Sequence, residues 1–327
     1  MGLRTAHRAA RRSITLQSVD GPRRVMLRDT ATASATDPAR PPETRAVLVD
    51  ALTDRAKQFR KRLRAATDAR AGDDIDASVH DLRTAARRLL AVLDALQPFV
   101  GAAAVRRLAR PAEKALDQVG RLRDLTVQRD TLAKLRGHAS VPLLKAFDRE
   151  LRRKTNRIAA KLRKRLDSVR RGKLRRDARR LKKRVRGCRM NTTDAWNLAL
   201  RAAHDAFERL CDTRAAMDPN DPATLHATRI ALKRLRYLME ELRPAYPVIR
   251  KTTIASLHSL QTTLGDLHDL DVLTESLAKY VHQHAPARAA EITSVLERVE
   301  RRHCAILLSC LRAIDAVLQP WKRLLAA

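Results

Sequence analysis

The sequence predicts an all-α protein built as two pseudo-symmetric four-helix bundles with long helices, and three observations carry that reading. From Glu43 onward apolar residues recur at helical spacing, and the alternation expected of half-buried strands is gone. The connections between the periodic segments are short, which favours antiparallel neighbours in packed bundles. One segment also occurs twice: "VHDLRTAARRLLAVLDALQPF" (79–99) aligns with "LHATRIALKRLRYLMEELRPAY" (225–246). "VGRLRDLTV" (119–127) then aligns with "LGDLHDLDV" (264–272), matching Gly120 to Gly265 and Asp124 to Asp269. The offset is 146 residues from His80 to His226 and 145 from Asp124 to Asp269. Two separated motifs in one register indicate a duplication, with four helices in each half.

Taken in order, residues 1–42 form a basic arm outside this pattern. It holds a weak hairpin signal at Asp20-Gly21 and a linker, "TATASATDPARPP", and is expected to be flexible. Helical stretches follow over about 43–70, stopping at Gly72-Asp73-Asp74; 76–97, ending before Pro98 and Gly101; and 102–136, ahead of Gly137 and Pro142. A long basic stretch over about 143–186 is interrupted by Gly172. The second half gives 192–216, a helix opened by Asp221-Pro222 and closed near Pro244, then 248–281 and 286–325. The expected domain is 43–327, as repeats 43–190 and 191–327.

Charge narrows the function. The 68 Lys and Arg against 36 Asp and Glu give +32, a field that repels itself and draws in multivalent anions. Nucleic acid, an anionic membrane surface and a polyphosphate are the partner classes. With four Phe, two Trp and three Tyr, the chain lacks the ring platforms on which single strands stack at about 1–3 kcal/mol per base. Cys188, Cys211, Cys304 and Cys310 form no CxxC pair or zinc-ribbon spacing, read as small core residues, and suit a reducing cytoplasm. No apolar run approaches the ~20 residues of a membrane span, and the first residues lack the apolar core of a signal peptide. The chain contains no Walker loop, GxGxxG, GxSxG or HExxH, so binding without catalysis is expected, with no cofactor.

The repeated helix carries the chemistry. H-x-x-R-x-x-x-[KR] places three nitrogen donors on one face, about one turn or 5 Å apart along the axis. In the second copy these are His226, Arg229 and Lys233, while Leu225, Thr228, Leu232 and Leu235 form the opposite stripe. Such a pitch suits successive oxyanions: arginine bridges phosphate oxygens in a bidentate way, lysine is a point charge, and histidine titrates near neutrality. A solvated face is the common origin of such a stripe, but its duplication in register argues for a site. Asp124 and Asp269 are read as carboxylates that orient a neighbouring Arg or His. A metal at His268, Asp269 and Asp271 with His226 or His258 is disfavoured, because the first half has Arg123 and Thr126 where the second has His268 and Asp271. The stretch 151–189 reads as an amphipathic helix with an almost wholly positive face, an extension of the same surface.

These motifs resemble the CHAD family, the conserved-histidine α-helical domain, over roughly 43–325. The resemblance implies two four-helix bundles related by internal pseudo-symmetry, binding of inorganic polyphosphate on a basic central surface, and association with polyphosphate granules in the cytoplasm. It places binding on His80, Arg83, Arg87 and Arg88 in the first half. In the second it places binding on His226, Arg229, Lys233, Arg234 and Arg236. Leu90 stands where the first half would repeat Arg236. A nucleic-acid-associated role for the same surface is the alternative.

Overall fold

The computed structural model describes residues 44–69, 73–136, 141–167, 169 and 171–325, so the expectation for the 1–42 arm lies outside the described residues. Among the described residues there are nine α-helices. The first half holds α1 (Thr44–Asp68), α2 (Asp73–Val100), α3 (Ala102–Arg136), α4 (Pro142–Asp167) and α5 (Arg171–Arg186). The second holds α6 (Thr192–Ala215), α7 (Pro222–Leu242), α8 (Lys251–His284) and α9 (Thr293–Leu325), with a 3-10 segment Pro286–Ile292 before α9.

The boundaries follow local chemistry. Asp221 caps α7, its side chain accepting from the Ala223 amide at 2.9 Å, and Pro222 occupies the first turn, where no amide donor is needed. Asn191 caps α6 in the same way through the Asp194 amide at 2.7 Å. The expected stop before Pro98 is overrun: α2 continues to Val100, because a proline in the last turn disturbs only carbonyls that are already near the end. The stop falls at Gly101, whose φ of +81° is open to glycine at no steric cost, and whose amide bonds the Gln97 carbonyl at 2.8 Å. The long basic stretch is two helices rather than one. Its break lies just before Gly172, around Val169, which is 2% exposed and enters the core between Leu166 and Leu174.

Two apolar clusters hold the helices, and each draws on both halves. The larger joins all five helices of the first half to all four of the second through residues such as Leu52, Leu82, Leu162, Leu232, Leu264, Tyr246 and Trp321. The smaller joins Leu132, Leu135, Phe147 and Leu151 of α3 and α4 to Leu270, Leu277 and Val299 of α8 and α9. Each fully buried Leu, Val or Phe contributes about 1.5–3 kcal/mol, the favourable side against a self-repelling charge of +32. Even α5, with its extreme charge, contributes Leu174, Leu181 and Val185. Contrary to the expectation of no such run, one segment, Pro286–Leu325, contains a stretch long and apolar enough to cross a membrane by length and composition. In this fold its apolar side, Val299, Leu307, Cys310, Ile314, Leu318 and Trp321, is buried against the other helices.

Helix pairing gives the duplication its geometry. The motif helices α2 and α7 pack on each other across the halves, and so do α3 and α8, which carry Asp124 and Asp269. Equivalent helices therefore meet as a pair about a pseudo-two-fold axis, as in an isologous dimer.

Candidate functional site

The stripe of α7 that faces inward is the expected one: Leu225, Thr228, Leu232 and Leu235 are all buried. Buried Thr228 is satisfied, its hydroxyl donating within reach of the Thr213 and Thr224 carbonyls at 3.0 and 3.1 Å. The other stripe, Arg229 and Lys233, is brought against Arg83 and Arg87 of α2, so that two cations from each repeat share one half-buried region. The glycines of the second motif lie beside these arginines. A Cβ on Gly120 would lie 3.8 Å from Nη1 of Arg83, and one on Gly265 would lie 3.8 Å from Nε of Arg229, an ordinary contact distance. Each motif arginine thus passes the glycine of its own half.

These cations are held in a poor environment for positive charge. Burial first, and then Arg87, push the Arg83 guanidinium down to about 10, against the pull of Asp124. Lys233 is pushed down to about 6 by burial and then by Arg229, Arg87 and Arg83, with Asp269 opposing. Burial also lowers Arg229, with Asp269 and Asp124 opposing and Arg87 adding to the fall. Nε of Arg229 is buried without a hydrogen-bond partner. Asp124 and Asp269 thus act as charge partners, and Asp124 reaches across the halves to His226 and Arg229. Asp269 itself is raised, because burial outweighs the neighbouring cations.

The histidines break the symmetry. His226 and His268 bring their Nδ1 atoms to 3.2 Å, with ring centroids 4.3 Å apart. Burial and Arg229 lower both, His268 to about 4, so the pair is neutral near pH 7 and one ring donates to the other. His80 is exposed, and Arg123 stands where this partner ring would be repeated. His258 is exposed on α8, away from the pair it was considered with.

Three arginines assigned to binding from the sequence are engaged elsewhere. Arg88 reaches Glu240 at 3.3 Å, and Arg234 reaches Asp94 at 2.8 Å. Arg88 and Arg234 are equivalent residues, as are Asp94 and Glu240, so the two bridges are reciprocal ties across the pseudo-axis. Arg236 is 5% exposed, donates to Gln261 at 2.8 Å, pairs with Glu240, and stacks 4.2 Å over Tyr237. The sequence carried a signal for this: an acid six residues after each second arginine, repeated in a chain poor in acids.

The ties differ in worth. Glu240→Ala leaves buried Arg236 without its carboxylate and is expected to cost about 2–4 kcal/mol in urea unfolding. Asp94→Ala loses a bridge whose arginine is 48% exposed, and whose acid is raised because burial outweighs Arg234. It is expected to cost less than about 1 kcal/mol.

A second basic feature lies away from this cluster. Arg107, Arg110 and Lys114 of α3 face Lys173, Arg176 and Arg180 of α5 across an open cleft of about 630 Å³ floored by Pro111 and Val169. Asp177, the acid on its wall, lies 4.0 Å from Arg180.

An all-α, internally duplicated domain with a half-buried cationic cluster on its pseudo-axis is the class that fold and site define. The chain belongs to the CHAD family, whose domain matches residues 2–133 and again 66–278. The overlapping matches accord with the duplication. Among solved structures it is similar to the CHAD domain from the plant Ricinus communis, at 18% identity over 85% of this chain and 91% of that chain, with a TM-score of 0.56. At that identity the likeness concerns the fold. No match was found among curated proteins.

Proposed function

We propose that this protein binds inorganic polyphosphate, without catalysis, at the cluster formed by Arg83, Arg87, Arg229 and Lys233, and that it does so on polyphosphate granules in the cytoplasm. One observation carries the reading. Four basic side chains from two helices are half-buried together with Asp124 and Asp269 as their opposing charges, a strained arrangement that a chain of oxyanions relieves. The unpartnered Nε of Arg229 supplies a donor for it. Every internal phosphate of such a chain is charged and no base stands in the way, so it can thread to half-buried donors. His226 and His268 flank the site, while Arg88, Arg234 and Arg236 fix the helices that present it.

A second reading has its own observation. The open cleft between α3 and α5 presents its cations at the surface, and a duplex backbone could lie along it without threading anywhere. Titration with long-chain polyphosphate and with duplex DNA of equal total charge, at about 50 and 200 mM salt, separates the two. Polyphosphate is expected to bind more tightly at both and to lose less with salt, because part of its contact is half-buried. Equal affinities would refute the preference.

A further inference from the structure

Away from the cationic cluster, one face of α9 gathers a different chemistry. Glu300, His303 and Cys304 each place a donor atom within 4.8 Å of the others. The spacing i, i+3, i+4 sets all three on one side of the helix. His303 is 3% exposed, beside buried Val299 and above the smaller apolar cluster. Its Nε2 lies 3.2 Å from Oδ1 of Asp271 on α8 but makes no hydrogen bond, so the carboxylate sits off the line of the ring N–H. Sγ of Cys304 donates to Oε1 of Glu300 at 3.7 Å.

We infer that Glu300, His303 and Cys304, with Asp271 alongside, form a binding site for a borderline-soft divalent ion of the zinc class. Bonds of about 2.0–2.3 Å at tetrahedral angles hold O, N and S donors roughly 3.3–3.8 Å apart, close to the two separations above. The donor set selects the metal: thiolate with imidazole favours zinc over magnesium or calcium, and the carboxylates add the negative charge that retains a dication. Two carboxylates around one buried imidazole and one thiol stand out in a chain where 68 basic residues face 36 acidic ones. The flanking Arg301 and Arg302 are exposed, so water screens their charge from the site. Of the cysteines expected to be small core residues, Cys310, 1% exposed, fills that role, whereas Cys304 is half-buried beside Glu300. The site is not duplicated, since Thr126 stands where the first half would repeat Asp271.

Binding couples to protons. The thiol must release its proton for sulfur to ligate, and the imidazole must be neutral, so affinity rises with pH. The test is equilibrium dialysis of the full chain against ZnCl₂, with CoCl₂ as a spectroscopic probe. One equivalent of metal is expected, with a thiolate-to-cobalt charge-transfer band. Cys304→Ser abolishes the band, Glu300→Gln weakens affinity at least about tenfold, and Asp271→Asn weakens it about tenfold. His268→Ala leaves the metal bound. Glu300 is only half-buried, so Glu300→Gln serves if a change at His303 unfolds the chain; helical circular dichroism checks each variant. Failure to retain metal, a band that survives Cys304→Ser, or loss of metal in His268→Ala would overturn the assignment.

Discussion

Arg229→Glu combined with Lys233→Glu is expected to weaken polyphosphate binding by roughly 10²–10⁴-fold at physiological salt. Each residue offers a charge-assisted contact of about 1.5–3 kcal/mol in a region where burial limits screening. The same number of reversals on the exposed face of α4, at Arg163 and Lys164, is expected to cost less than about tenfold. Both double variants change the formal net charge equally, and with Lys233 largely neutral the cluster variant changes the actual charge by less, so a larger loss there is an effect of position. Unfolding is not a confounder of the expected kind, because carboxylates beside Arg83 and Arg87 reduce the repulsion that the native cluster tolerates. Far-UV circular dichroism and thermal melting check this. Equal losses in the two variants would mean that the field of the whole chain binds the polymer and the cluster has no special part.

The duplication was legible because its signals are local. Apolar spacing of 3.6 identifies a buried stripe such as Leu225–Leu235 without any knowledge of its partner, and a register of 145–146 residues can be counted along the chain. Which face a cation serves is decided by what lies opposite, and that is set across distances no local pattern encodes. Arg88 and Glu240 are 152 residues apart, and Arg234 and Asp94 are 140 apart. The residues on which the resemblance places binding therefore stand in two settings. Arg83, Arg87, Arg229 and Lys233 gather on the axis, whereas Arg88, Arg234 and Arg236 clamp the helices beside it. The glycines had no evident purpose in the sequence until the paths of Arg83 and Arg229 over them were visible. The basic central surface that the resemblance implies is, at this point, a packed seam between α2 and α7, with its cations only partly exposed. The end expected before Pro98 moved to Gly101 because a proline in the last turn is tolerated, and the interruption expected at Gly172 falls a few residues earlier, around buried Val169. The 3-10 turn before α9 likewise serves burial, delivering Ile292 to the smaller cluster.

Lys233 makes binding depend on pH in a direction set by its environment. In the free protein it is pushed down to about 6, so it is mostly neutral at pH 7.5. A bound phosphate replaces the repulsion of Arg229, Arg87 and Arg83 with attraction and raises the lysine toward its ordinary range, so binding takes up a proton. Affinity is then full below pH 6 and falls as pH rises through the free value, by up to about tenfold per pH unit. Titrations at pH 6.5 and 8.5 are expected to differ by about tenfold or more in the native chain and by less than about twofold in Lys233→Met. His226 and His268 are both lowered, so they strengthen binding further only on the acid side. Stability has the opposite sign. The unfolded chain holds the lysine proton up to its ordinary value, while the folded chain releases it near 6. The free protein should therefore gain stability from about pH 6 towards pH 10, and polyphosphate should remove that dependence. Lys233→Met is expected to raise the Tm of the free protein at pH 7 by about 2–4 °C while weakening binding at pH 6.5. A lower Tm together with an unchanged pH profile would show that Lys233 is structural, and that the seam between α2 and α7 does not receive the polymer.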